Sequence, residues 1–165
     1  MAILVFKIGD KVVYPMHGAG IIESMEEKCI LGEEHKYYVL KMPIGDMKVM
    51  IPVNNIEGIG VRNIVSAEEA DKVLKIFSAC GEDENSNWNK RYRENMEKMR
   101  IGNLSEIACV TKTLMLRDNR KSLSNAERKM LTNAKNILLS ELVLAKNISY
   151  NEAEDLLQSA MAEAK

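Results

Sequence analysis

The chain has 165 residues, 46% hydrophobic and 28% charged, with 23 basic and 24 acidic side chains for a net charge of -1. This is globular composition, enough for one ordinary domain or two small ones, and no apolar run approaches the roughly 18 residues of a membrane span. The first residues show neither a basic stretch nor a cleavage pattern behind a long apolar run, so no secretory leader is expected and the chain is read as cytoplasmic.

Up to about residue 63 the pattern is that of short strands. β-rich runs at Lys11 to Tyr14, Ala19 to Glu26, His35 to Lys41 and Met47 to Ile51 are separated by Pro15 and Gly18, by Gly32, and by Pro43 with Gly45 and Asp46. Such runs, joined by tight turns, predict a small SH3-like or Tudor-like β-barrel over residues 1–63. In Tyr37-Tyr38-Val39-Leu40 and Val49-Met50-Ile51 the alternation turns one set of side chains inward and leaves the other as a face open to a partner. Gly18, Gly20, Gly58 and Gly60 read as turns and strand ends, because no G-x-x-x-x-G-K-[ST] phosphate loop occurs and no helix start follows them. His17, between Tyr14-Pro15 and Gly18, reads as a structural turn residue, and His35 lies in a strand. Neither belongs to a recognisable nucleophile, base or metal set, so no enzyme activity, metal or cofactor is expected. Cys29, Cys80 and Cys109 stand 51 and 29 positions apart. They form no disulfide framework and no zinc-type close pair, and are expected to be small buried hydrophobes.

From residue 64 the period becomes helical, and capping boxes mark the starts. Ser66 with Glu69, Asn103 with Glu106, Ser124 with Glu127 and Ser149 with Glu152 each place an N-cap acceptor three residues before a carboxylate. Apolar stripes then follow: Ala70, Val73, Leu74 and Phe77 in a helix over about 67–79; Ile107, Val110, Leu114 and Met115 over about 104–116; and Met130, Leu131, Ala134, Ile137, Leu138, Leu142 and Ala145 over about 125–145. About five helices in all, over residues 64–165, predict an all-α bundle, so that the fold class is α+β with two domains. The tail from Asn147 reads as a short acidic helix without an assigned role. With no heptad seam in either half, a monomer is expected.

Charge is unevenly spread. Residues 85–135 hold 12 Lys and Arg against 5 acids, a local excess of +7, while residues 64–84 carry -4 and residues 136–165 carry -3. That excess focuses a positive potential on one surface of a nearly neutral protein. Within it lies Asn87-Trp88-Asn89-Lys90-Arg91-Tyr92-Arg93, where the only tryptophan opens a helix beside three cations. Two readings stand side by side: Trp88 caps the bundle core and the cations are a solvated face, or an exposed aromatic at a helix N-terminus wedges against a base step while the cations and the helix dipole hold phosphates. A second basic pair, Arg128-Lys129, follows the capped start at Ser124.

The opening Phe6-Lys7-Ile8-Gly9-Asp10-Lys11-Val12-Val13-Tyr14-Pro15-Met16-His17-Gly18-Ala19-Gly20, with Tyr37 to Leu40, Met47 to Pro52 and Gly60-Val61-Arg62, resembles the CarD/CdnL family of bacterial transcription regulators. The opening alone also fits the polymerase-interacting module of transcription-repair coupling factors, which are far longer and carry a Walker motif. The segment Asn87 to Arg93, Gly102-Asn103 and Leu123-Ser124 through Glu127-Arg128-Lys129-Met130-Leu131 match the helical DNA-binding domain of CarD/CdnL, so the likeness runs from about Phe6 to Ala145.

The resemblance implies a non-enzymatic promoter factor whose N-terminal barrel adds a strand edge to the β subunit of RNA polymerase. Lys28, Ile30 and Met50 fall at the polymerase-contacting positions, with Met50 where family members can carry an arginine. The helical domain then meets promoter DNA at the upstream edge of the bubble. Trp88 wedges into the minor groove, and Lys90, Arg91, Arg93, Arg128 and Lys129 supply the cations around it; Lys90 stands where an arginine is frequent. The implied outcome is a longer-lived open complex, with little base specificity. The competing expectation is a pure protein-interaction module on polymerase or a sigma factor, without DNA contact.

Overall fold

The computed structural model describes residues 6–82 and 87–163. Five strands, β1 (Lys11–Tyr14), β2 (Gly18–Ile30), β3 (Glu33–Lys41), β4 (Lys48–Pro52) and β5 (Arg62–Asn63), form one antiparallel sheet in the order β4-β3-β2-β1-β5. Between β4 and β5 lie a 3-10 turn (Val53–Asn55) and a short helix, α1 (Ile56–Ile59). The β2–β3 hairpin closes through Leu31 and Gly32, with φ of 53° and 80°, the two positive values that a tight I′ turn requires.

Alternation fixes what each face does. Val12, Ile22, Tyr38, Leu40 and Ile51 point to one side and, with Phe6, Val53 and Ile56, make the core of the N-terminal half. The Tyr38 hydroxyl donates to the Phe6 carbonyl at 2.6 Å, so the chain leading into β1 is held to the sheet. The strands at Lys11–Tyr14 and before Lys41 are those expected; the hairpin is longer than expected at its tip, and β5 and α1 carry too few residues to give a periodic signal.

Five further helices follow: α2 (Ala67–Ala79), α3 (Trp88–Ile101), α4 (Leu104–Arg120), α5 (Asn125–Lys146) and α6 (Tyr150–Glu163). Ser66, Asn103, Ser124 and Ser149 accept hydrogen bonds from the backbone N–H of Glu69, Glu106, Glu127 and Glu152, which is why the starts fall where the sequence places them. Asn87 does the same for Lys90 without a carboxylate three residues on. The expected stripes converge: Val73 and Phe77 of α2, Ile107, Val110 and Leu114 of α4, and Ala134, Ile137 and Leu138 of α5 share one core. Ala153 and Leu157 of α6 are fully buried in it, so the acidic tail is an integral wall of the bundle.

The cysteine expectation is corrected. The packing of α2 on α4 brings Cys80 and Cys109 to a Cα–Cα distance of 5.6 Å and into a disulfide, and Cys29 is exposed. Spacing along the chain carries no information about two helices that meet in space. At the same place the buried Lys112 ammonium donates to the carbonyls of Phe77 and Ser78, both at 2.9 Å, and lies over the Phe77 ring. It adds a donor to two of the last carbonyls of α2, of which Phe77's is shared with the Cys80 N–H. Burial holds the Lys112 amine below the ordinary lysine pKa.

An ion pair pins α3 to α5. Arg91, 2% exposed, donates from Nε and Nη2 to the two Glu127 oxygens at 2.9 and 3.0 Å. The Glu127 carboxyl lies below its ordinary pKa, chiefly through the Arg91 hydrogen bonds and against the cost of its burial; the Arg91 and Arg117 charges and a Trp88 hydrogen bond add to the lowering. Because the folded carboxyl is the stronger acid, the pair's stabilisation is complete above the ordinary glutamate value of about 4.3 and is lost as pH falls below it toward the folded value. Arg91→Ala leaves the buried Glu127 carboxylate without its guanidinium. In urea unfolding at neutral pH it is expected to cost about 3–5 kcal/mol, and to flatten the acid limb of the stability curve. A loss under about 1 kcal/mol would mean that water replaces the guanidinium. Purified without reductant, the native protein is expected to take one iodoacetamide adduct, on Cys29, and three after reduction and unfolding, as read by intact mass.

Candidate nucleic-acid interface

The N-termini of α3 and α5 meet, and Trp88 is the joint. Its indole N–H donates to Ser124 Oγ at 3.1 Å, and the same hydroxyl accepts the Glu127 N–H at 3.2 Å as the α5 cap. One face of the indole stacks on Tyr92, one turn further along α3, with centroids 5.4 Å apart and planes at 13°. Yet Trp88 is 40% exposed. A buried ring capping the bundle core would have neither that exposure nor its polar edge bound to a helix cap. The indole is instead a half-exposed plate with its orientation fixed on two sides.

Around this plate the cations separate into two groups. Lys90, Arg93, Arg128 and Lys129 are exposed. Arg93 Nε reaches the Asn89 carbonyl at 3.4 Å, and Arg128 Nη2 the Leu123 carbonyl at the same distance, so each guanidinium lies close along its helix start. Arg91, expected among the DNA-contacting cations, turns inward to Glu127, and its guanidinium is not on the surface with the other four. The helical period explains the division: Arg91, Asn95 and Met99 form the inner stripe of α3. Two helix starts, with unpaired backbone N–H groups and the positive ends of two dipoles, add to the field of the exposed cations. The arrangement is suited to a polyanion with a flat group to stack on.

The polymerase-facing expectations fall on the sheet. In the register, Lys28 faces His35, Ile30 faces Glu33, and Met50 faces Val39. Alternation therefore puts Lys28, Ile30 and Met50 on one face of the sheet, opposite Tyr38, Leu40 and Ile51. Lys28 and Ile30 are exposed near the hairpin tip, beside a wholly exposed Leu31, and Met50 is half-buried on β4. Among the described residues β4 is an edge of the sheet, paired with β3 alone, which leaves its outer N–H and C=O groups open to another strand.

Sequence reasoning missed the residues that tie the two halves together. Arg62 of β5 donates from Nη1 and Nη2 to the two oxygens of Glu141 on α5, both at 2.8 Å, and from Nη2 to the Gly102 carbonyl at 3.0 Å. Glu141 is fully buried and also accepts the Val65 N–H at 2.8 Å. Beside it, Ser140 Oγ accepts the Ala19 N–H at 2.9 Å. Gly18 lies so close that a Cβ there would come within 2.8 Å of that hydroxyl, which explains the glycine in the Tyr-Pro-Met-His-Gly turn. The available signal was a carboxylate inside an apolar run, Ile137-Leu138-Leu139-Ser140-Glu141-Leu142.

Comparison with known proteins agrees with this two-part layout. Residues 6–65 match the CarD-like/TRCF RID domain and residues 72–158 match the CarD C-terminal domain. A Bacillus subtilis (strain 168) protein described as putative transcription factor YdeB is 42% identical over 144 residues, covering 87% of this chain and 94% of that protein. With both halves matched in order and a relative this similar over nearly its full length, the chain belongs to the CarD family of transcription factors.

Proposed function

We propose that this protein regulates transcription initiation by binding the β subunit of RNA polymerase with residues 1–63 and promoter DNA with residues 64–165, prolonging the life of the open complex. The observation that carries the DNA half is Trp88: an exposed indole, oriented by Ser124 and Tyr92, at the joined starts of two helices and flanked by four exposed cations. Inserting it at a base step from the minor groove costs a few kcal/mol of unstacking. That cost is smallest where the duplex already ends, at the edge of a melted bubble. Lys90, Arg93, Arg128 and Lys129 hold the flanking phosphates. None has the setting of a base-reading pair, so preference for a site comes from DNA shape and from the polymerase.

The polymerase half rests on the match of residues 6–65 and on the open edge of β4, to which a strand of the β subunit adds. Lys28, Ile30 and Met50 flank that edge on one face. With Met50 the contact is apolar where an arginine would form an ion pair, and it is correspondingly less sensitive to salt. Because the factor binds the melted state better than the closed one, it shifts the equilibrium by the difference in affinity alone.

The test is open-complex lifetime on a linear promoter fragment with cognate polymerase. The wild type is expected to lengthen it about tenfold, equivalent to 1.4 kcal/mol of differential binding, and Trp88→Ala to abolish the gain with β-subunit binding unchanged. Equal action of the two proteins would leave the interaction-module reading in its place. Arg128→Ala is expected to weaken DNA binding evenly across sequences and to lower the slope of log affinity against log salt by about one.

A further inference from the structure

The sheet and the helices are joined by a polar bracket, and its position relative to the two proposed contact surfaces is informative. Val13 of β1 pairs in register with Ala19 on one side and Arg62 on the other. One row across β5, β1 and β2 therefore faces α5, through Arg62 to Glu141 and through the Ala19 N–H to Ser140. The row lies on the same face of the sheet as Lys28 and Met50, at the opposite end. On the helical side, Arg62 holds two things. Gly102, in the left-handed conformation (φ 84°), is the C-cap of α3, and Trp88 is that helix's first residue, 14 residues and about 21 Å away. Glu141 lies on α5, whose own start is capped by Ser124. Thus one guanidinium of the sheet grips the far ends of both helices whose near ends form the candidate DNA site.

We propose that Arg62 and Glu141 are positioning residues that set the angle between the sheet and the Trp88 end of the helices, so that a factor docked on polymerase presents the indole at one fixed place on the DNA. This rests on the function proposed above. Apolar packing alone is non-directional and tolerates sliding of α5 over β2. A bidentate ion pair, closed further by the Val65 N–H and the Gly102 carbonyl, does not, because any sliding exposes a buried carboxylate without partners. A factor with a loosened bracket still binds each partner separately but samples many placements of Trp88, and the competent fraction scales the effect.

The experiment uses full-length protein. The parent, Arg62→Gln and Glu141→Gln each carry one spin label on the native Cys29 and a second on Gln158→Cys, both exposed positions. Glu141→Gln removes the buried charge together with the ion pair, while Arg62→Gln leaves Glu141 the Val65 N–H; the variant that keeps the native circular-dichroism spectrum carries the test. Expected are a narrow interlabel distance distribution in the parent and a broad one in the variants. Binding to the isolated β subunit and to fork-junction DNA should stay within about twofold, while the lengthening of open-complex lifetime at saturating factor falls by about fivefold or more. An unchanged distance distribution in Arg62→Gln overturns the bracket. A broadened distribution with full lifetime lengthening overturns its functional importance. If the parent itself fails to lengthen the open complex while its distance distribution is narrow and the variants' broad, the function proposed above has failed and the bracket stands as a structural finding.

Discussion

Two carboxylates buried on one helix organise this protein. Glu127 in the first turn of α5 takes the Arg91 guanidinium of α3, and Glu141 toward its other end takes that of Arg62 from β5. Both are at most 2% exposed. Ion pairs so placed return little net stability, since desolvating each charge costs several kcal/mol that the contact repays only when its geometry and remaining hydrogen bonds are complete. Here they are complete: each carboxylate has two guanidinium bonds, and each has a further hydrogen bond, from the Trp88 side chain to Glu127 and from the Val65 N–H to Glu141. What the pairs contribute is selection of one arrangement, because every alternative packing of α5 strands a charge.

The helical core supplies the cohesion that these pins direct. Phe77, Ile107, Val110, Leu114, Ile137, Leu138 and Leu157 are all nearly or fully buried, each worth about 1.5–3 kcal/mol of transfer free energy at most. The end of α2 receives unusual attention, with Lys112 on its last carbonyls and Cys109 joined to Cys80 just beyond. Both anchors come from α4. Helix ends fray first, and this one is followed by the connection to Asn87 and Trp88, so a firm end to α2 limits how far the start of α3 can wander.

How much of this could be read from sequence follows from the range of each signal. Capping is local, and Ser66, Asn103, Ser124 and Ser149 therefore placed four helix starts correctly. Strand alternation is local too, and it separates Tyr38 and Leu40 from Tyr37 and Val39 without saying which set faces the core; in the fold Tyr38 and Leu40 are the inward set. Arg91 shows the limit. Charge counting put it with its neighbours on a basic face, while the period of α3 turns it inward to a partner 36 positions away. Nothing in the spacing of Cys80 and Cys109, or of Arg62 and Glu141, reveals that they meet, because each pair is created by the packing of elements that are individually ordinary. The family likeness supplied the functional frame, and the geometry separates the proposed residues into an exposed group and the buried Arg91.

On the proposed function, the same geometry bears on how a protein of net charge -1 would work on a polyanion. Of the cations behind the local +7, Arg91 and Arg100 are matched within the segment, Arg120 and Lys135 are matched by Glu82 and Glu154 from outside it, and Lys112 is buried on carbonyls. Of the other seven, Lys98 and Arg117 are half-buried and Lys121 is exposed just past α4, while Lys90, Arg93, Arg128 and Lys129 form the exposed group at the helix starts beside Trp88. Four phosphate contacts from this group would give a salt-sensitive affinity far below that of factors that find DNA unaided. On the proposed reading this weakness is functional. Docking on polymerase turns the DNA contact into an intramolecular one at an effective concentration of about millimolar, where a weak contact suffices. The factor then acts only at promoters that polymerase already holds. An intramolecular contact is productive only if the geometry permits both contacts at once, and in this chain that condition falls on the bracket between Arg62 and Glu141.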